Sequence, residues 1–417
     1  MVWRKFISPT NWHYNFCLLI AFLLPLHKRY VPGIIGLYFL YCIFFSIKNK
    51  FINRKVDFQV LIFPISLYAL MAAGFWFTQD AEVASKELEY KASMIVFPLL
   101  MLFTPIFSKE EVRKMIRAFV GGCFLFALIA LIYGAYRASV FDSREYLTYS
   151  NLGIYFHPTY MALYQSLALF WLVSQGVKRA YFFDSFSFHL TVTFFVILFI
   201  VMLASKAGIL SAIVAMMWEL WVVHRRRWNL RRGLYWSISS VTLILFLTYA
   251  LPLTSQRIDQ SVSDIAASEG AANQGDEVKQ EARSSTELRR VTWTSSIEIL
   301  LENPSGVGIG NAGIMLREKY AAQEENYALE KNLNSHNQFL QVAVEMGWAG
   351  LVIFSIFCLV VIIKALRSGS IFYMAFAGLC FLNFLFESFL EVQAGVVFFY
   401  FFLTVLNNSA LTRDSEC

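Results

Sequence analysis

Charge is scarce in this sequence: only 15% of its 417 residues are Asp, Glu, Lys or Arg, where a water-soluble domain carries about 25%. A chain that is 58% hydrophobic, with 41 Phe, 20 Tyr and 10 Trp, has too little polar side chain to cover a compact shape. A soluble globule is therefore excluded and a polytopic membrane protein is expected. Also missing are the alternating ten-residue segments of a membrane barrel, so helices must satisfy the backbone in lipid. Cysteine is absent from polar loops. Cys17, Cys42, Cys123, Cys358 and Cys380 lie in apolar runs and Cys417 ends the sequence, which implies neither a disulfide nor a zinc framework. A D-x-D metal motif and a credible nucleotide loop are lacking too. Residues 308–313 match G-x-G-x-x-G, but a helix-ending Asn-Pro precedes them instead of the strand that a dinucleotide site requires. A tight turn approaching a lipid carrier or a neighbouring helix is the better expectation for them.

What the chain does have is apolar runs. Spanning about 30 Å of hydrocarbon takes about 20 helical residues. Twelve candidates lie near 12–27, 31–48, 57–78, 89–107, 115–136, 155–175, 188–204, 207–223, 234–253, 347–364, 370–386 and 393–411. The first reads as a span and not as a removed signal peptide, since no small-residue cleavage site follows. Lys and Arg set the orientation, because basic loops stay cytoplasmic. With the N-terminus inside, 20 of these charges fall inside and seven in the short outer loops. The run from His224 to Arg232 then becomes a topology anchor and anionic-lipid contact, not an RNA patch. The expected organisation is all-α: nine spans over 1–253, one large periplasmic loop over 254–346, and three spans with a short tail over 347–417. Within the loop, 259–287 is small and polar, while apolar residues from Trp293 to Leu301 recur at helical spacing until Asn303-Pro304-Ser305-Gly306 ends the helix.

This topology gathers unusual polar residues on the outer side: His157, Lys206, Arg289, Arg290, His336, Glu387 and Glu391. Ionisable groups at a membrane boundary are costly, so a cluster facing one cavity is a functional-site hypothesis. Arg283, Arg289 and Arg290 form a basic focus suited to a diphosphate, since guanidinium forks match phosphate oxygens. The plainer alternative pairs them with Glu281, Glu287 and Glu298 on a solvated face. His336 opens an amphipathic helix, where it can serve as general base or simply as a capping residue. His157-Pro158 also opens a helix, which favours a capping role. Glu387 and Glu391, four residues apart on one expected helical face, are either a carboxylate pair or partners for the outer cations.

Arg289-Arg290-Val291-Thr292-Trp293, Asn303-Pro304 with Gly306-Val307-Gly308-Ile309-Gly310, the run Ser335 to Gln341 and Glu345-Met346-Gly347 together resemble the bacterial O-antigen ligase and polymerase group of polytopic glycosyltransferases. The resemblance implies a metal-independent, inverting enzyme without cofactor, at the outer face of the inner membrane. Its ligases take a glycan from undecaprenyl diphosphate and join it to lipid A-core. By that likeness Arg289 engages the diphosphate, aided by Arg290 and Lys206, and His336 sits beside the acceptor hydroxyl, with His157, Glu387 and Glu391 in support. Lys206 stands where many members have arginine, a point charge in place of a fork. The chemistry fits these residue types: the donor is already activated, so the protein need only align the acceptor, receive its proton and stabilise the departing diphosphate. The implied partners are the lipid-linked donor, the lipid A-core acceptor and membrane lipids, with neither nucleotide nor nucleic acid. A polymerase joining lipid-linked repeat units is the near alternative. A transporter of lipid-linked sugars is the alternative from another class, and it would call for midplane charges and paired repeats that the chain lacks.

Overall fold

The computed structural model describes residues 9–251 and 285–409, so the stretch 259–284 with Glu281 and Arg283, the terminal cations Arg4, Lys5 and Arg413, and Cys417 lie outside the described residues. The helices are α1 (Pro9–Leu23), α2 (Tyr30–Asn49), α3 (Phe58–Gly74), α4 (Ala81–Lys91), α5 (Ser93–Phe103), α6 (Lys109–Val140), α7 (Pro158–Lys178), α8 (Phe186–Met202), α9 (Lys206–Arg225), α10 (Leu230–Ala250), α11 (Ser285–Glu302), α12 (Ala312–Ala322), α13 (Asn326–Glu330), α14 (Gln338–Arg367), α15 (Ile371–Phe384) and α16 (Gln393–Asn407).

The twelve expected spans resolve unequally. Among the described residues six helices are long and apolar enough to cross a membrane by length and composition: α2, α3 with the turn that follows it, α6, α9, α10 and α14. Four more apolar helices, α1, α8, α15 and α16, are shorter. The run expected at 89–107 is only the eleven-residue α5, because the polar helix α4, capped by Asp80, uses the residues through Lys91. Helix α7 runs 21 residues but is buried on nearly every side, the position in a bundle that lipid does not reach. Its polar Gln165 and Ser174 find protein partners there, the Cys123 carbonyl at 2.9 Å and Glu219 at 2.6 Å. Outer helices instead present Leu37, Leu40, Phe44 and Ile47 on α2, and Val352, Ile356 and Leu359 on α14, all exposed, as lipid-facing surfaces require.

The bundle has two chemically distinct ends. Asn53 bonds Asn408 at 2.9 Å, Lys364 pairs with Asp57, Arg226 donates to the Gly369 carbonyl at 2.6 Å and Arg232 to that of Val177 at 2.9 Å, tying the Lys- and Arg-rich loops together. His224, Arg225, Arg227 and Trp228 line an open concavity at this end. The residues from 285 to 337 pack at the other end.

There α14 is broken at Gly347, whose backbone (φ 63°, ψ −161°) is not helical. The break frees helix groups that the loop after α11 then satisfies. Val307 and Gly308 N–H donate to the carbonyls of Val344 and Glu345 at 2.9 and 3.0 Å, and Trp348 N–H donates to Pro304 at 3.0 Å. Asn303-Pro304 ends α11 as the sequence predicts, and Gly306 turns at φ 84° against Gly347. Gly308-Ile309-Gly310 packs on Gly74 and Ala84, and Asn311 bonds Phe77, Gln79 and Val307. The glycine motif thus meets a neighbouring helix end.

Candidate functional site

Arg289, Thr292 and Ser296 share one face of α11 at helical spacing. Thr292 donates to the Ser335 carbonyl at 3.4 Å and Ser296 to the Ser335 hydroxyl at 2.9 Å. These bonds seat the turn Asn334 to Asn337 against α11, one helical turn from Arg289. His336 occupies the left-handed region (φ 43°), its N–H held by Asn334 Oδ1 at 3.0 Å, and Asn337 caps α14 by accepting from Phe339 and Leu340. A rare backbone state so restrained marks a turn that the surroundings impose.

Helix α15 ends at Phe384 and a connector of irregular backbone runs to α16. Side chains satisfy its backbone one group at a time. Asn337 donates to the Leu385 carbonyl at 3.2 Å, Arg289 Nε to that of Phe386 at 3.3 Å and the Tyr160 hydroxyl to that of Ser388 at 3.2 Å, while the Leu390 N–H donates to Gln338 at 2.5 Å. The connector is therefore shaped by the site and shapes it. Glu387 and Glu391 do not share a helix face, contrary to the expectation from their spacing, because the chain between them is not an α-helix. They part: Glu387 faces His336, and Glu391 meets Lys91 at 2.6 Å.

His336 Nδ1 lies 3.3 Å from Glu387 Oε1, with the carboxylate buried and the imidazole partly open. Burial opposes ionisation of Glu387, but the hydrogen bond from His336 and the nearby His336, His157 and Arg289 outweigh it and hold this carboxyl below its usual value. An ionised carboxylate only accepts, so the shared proton belongs on Nδ1 of His336, and in the neutral form of such a ring Nε2 is the acceptor. Arg289, partly buried, stacks its guanidinium 6.0 Å from the Phe386 ring centroid, and desolvation lowers its pKa against the pull of Glu387 and Tyr149. His157 caps α7, its Nδ1 accepting from Thr159 N–H at 3.4 Å. The residue is exposed, and desolvation by the protein around it lowers its pKa despite Glu387.

Arg289, His157 and His336 thus all lie within electrostatic reach of Glu387. Lys206 opens α9 at the same end, where the cap Ser205 lies 3.4 Å from Thr159. Arg290 is exposed, one step around α11 from the face that holds Arg289. The solvated-face alternative does not describe Arg289, which contacts Phe386, nor Glu298, which bonds Gln323 at 2.9 Å and pairs with Lys319 at 3.6 Å. Sequence reasoning missed Tyr160, Gln338 and Lys91. Only burial marks them: Tyr160 and Gln338 read as ordinary helix residues, and Lys91 as an outer-loop charge.

Residues 191–355 match the family model described as O-Antigen ligase. That segment includes Lys206, Arg289, Arg290 and His336, while His157, Glu387 and Glu391 lie beyond it. No curated protein matches the chain. The match runs from α8 to the middle of α14 inside an all-helical fold, and over this segment the chain is similar to the O-antigen ligase and polymerase family, whose members are glycosyltransferase-like enzymes.

Proposed function

We propose that this protein is an O-antigen ligase of the inner membrane, transferring a glycan from undecaprenyl diphosphate to lipid A-core at the periplasmic face. The observation that carries the chemistry is the contact of His336 Nδ1 with Glu387 Oε1 at 3.3 Å, beside Arg289. His336 Nε2 takes the proton of the acceptor hydroxyl as that oxygen attacks the anomeric carbon. Glu387 keeps the tautomer and stabilises the imidazolium that forms. The bond from the anomeric carbon to the diphosphate oxygen breaks as the new glycosidic bond forms, and a single displacement inverts the configuration. Arg289 offers N–H donors to the departing diphosphate, with Arg290 and Lys206 adding positive charge. His157, within electrostatic reach of Glu387, has a supporting role. The cationic side chains suit a metal-independent reaction, because the leaving group needs only charge stabilisation.

The test uses purified protein with lipid-diphosphate glycan and lipid A-core, scored for covalent product without nucleotide. His336→Ala should lower transfer by about 10²- to 10⁴-fold, and Arg289→Ala should be comparably damaging. Wild-type rates in both folded variants would refute the assignment. Gene deletion separates the two activities of the family: full-length polymer left on its carrier supports a ligase, whereas single repeat units would assign a polymerase.

A further inference from the structure

Behind His336 and Glu387 lies a buried ionic cluster that the transfer chemistry does not use. Lys91 ends α4 with its side chain 3% exposed, its Nζ 2.9 Å from Glu345 Oε2 and 2.6 Å from Glu391 Oε2. Glu87, one turn earlier on α4, adds a third carboxylate within electrostatic reach and accepts from Gly310 N–H at 3.2 Å. Desolvating such a group costs several kcal/mol, and an apolar core in its place is often as stable or more so. Stability alone is therefore a poor account of it.

The geometry says more. Glu345 stands on α14, the helix that His336 introduces, and Glu391 ends the connector that carries Glu387. Each is wired back to the candidate site by one glutamine. Gln341 Nε2 donates to Glu345 Oε1 at 2.8 Å while its Oε1 accepts from Ser335 N–H at 3.3 Å. Gln338 Nε2 donates to Glu391 Oε1 at 3.2 Å while its Oε1 accepts from Leu390 N–H at 2.5 Å. Lys91 is the element common to both branches. Burial among three carboxylates that compete for one ammonium pushes the Glu391 carboxyl up to about 8, whereas Lys91 is held firmly protonated against its desolvation.

We propose that Lys91 is a positioning residue for the transfer reaction: by clamping Glu345 to Glu391 it keeps the helix start bearing His336 in register with the connector bearing Glu387. This rests on the role given to His336 and Glu387 above. Loosening the clamp lets Glu387 drift from Nδ1 without removing any group that touches substrate, and a misplacement of about 1 Å can cost about 10²-fold in rate.

The experiment measures kcat and donor KM for Lys91→Met, Gln341→Leu, Glu387→Gln and the double variant Lys91→Met/Glu387→Gln, in the purified full-length protein with lipid-linked donor and lipid A-core. Lys91→Met should lower kcat about 10- to 100-fold with donor KM little changed. In the Glu387→Gln background the same change should cost little more, since both act through one contact. Full additivity, or wild-type kcat in a folded Lys91→Met protein, overturns the proposal. If Lys91→Met fails to fold, Gln341→Leu cuts one branch without stranding a charge, and wild-type kcat there overturns it equally. His336→Ala separates the two ideas: wild-type transfer by that variant defeats the reading of the site, whereas an inactive His336→Ala beside a fully active Lys91→Met defeats the clamp alone.

Discussion

Replacing Gly347 by alanine should damage this protein far more than one methyl group suggests. A Cβ at that position would lie 2.3 Å from the Pro304 carbonyl oxygen, 2.4 Å from Ser305 C and 2.6 Å from Gly306 N. All three are backbone atoms, so no side chain can rotate away. The backbone angles, φ 63° and ψ −161°, belong to a region that only glycine populates freely, at a strain of about 1–3 kcal/mol for other residues. Overpacking adds about 1–3 kcal/mol, so the change should cost roughly 2–6 kcal/mol, against a total stability of about 5–15 kcal/mol. Because Gly347 seats the loop from α11, the loss should reach Arg289 and His336 as well. The assay compares unfolding midpoints in detergent and transfer rates for Gly347→Ala and for Gly313→Ala. The latter is a helical glycine with nothing within 4 Å of an added Cβ. The control should be unchanged or slightly stabilised, while Gly347→Ala should melt several degrees lower with weakened transfer. Wild-type behaviour in Gly347→Ala would falsify the argument that the loop fills the helix break.

Two further outcomes follow from the site. Glu387 titrates below its ordinary value of 4.5 in the folded protein, so the unfolded chain binds that proton more readily. Its contribution to stability is then complete above pH 4.5 and is lost as the pH falls through the folded value; unfolding midpoints measured downward through this window should fall more steeply in the wild type than in Glu387→Gln, and parallel curves would remove the linkage. Arg289→Lys keeps the charge but loses the fork that bonds Phe386 while facing the site, so donor KM should rise about 10-fold or more with kcat less affected, and an unchanged KM would show that Arg289 does not hold the diphosphate.

Helices, their apolar faces and the end of α11 at Asn303-Pro304 were legible in the sequence because each depends on local pattern: periodicity, continuous hydrophobicity and helix-stopping residues. His336 and Arg289 were singled out through motifs within one stretch of chain, and the structure brings both near Glu387. The span at 89–107 was misread because a window of hydropathy cannot see that Asp80 caps a separate polar helix ending at Lys91. The spacing of Glu387 and Glu391 predicted a shared helix face, and only the tertiary structure could deny it. Their connector leaves the helix because Arg289, Asn337, Tyr160 and Gln338, from distant parts of the chain, satisfy its backbone instead. Composition and hydropathy by themselves determined that this is an all-helical chain made to lie among lipids, since burying apolar surface and pairing backbone groups are local demands. Which carboxylate meets which cation was decided only in three dimensions, where burial makes every unpaired charge costly and partners must be found across hundreds of residues.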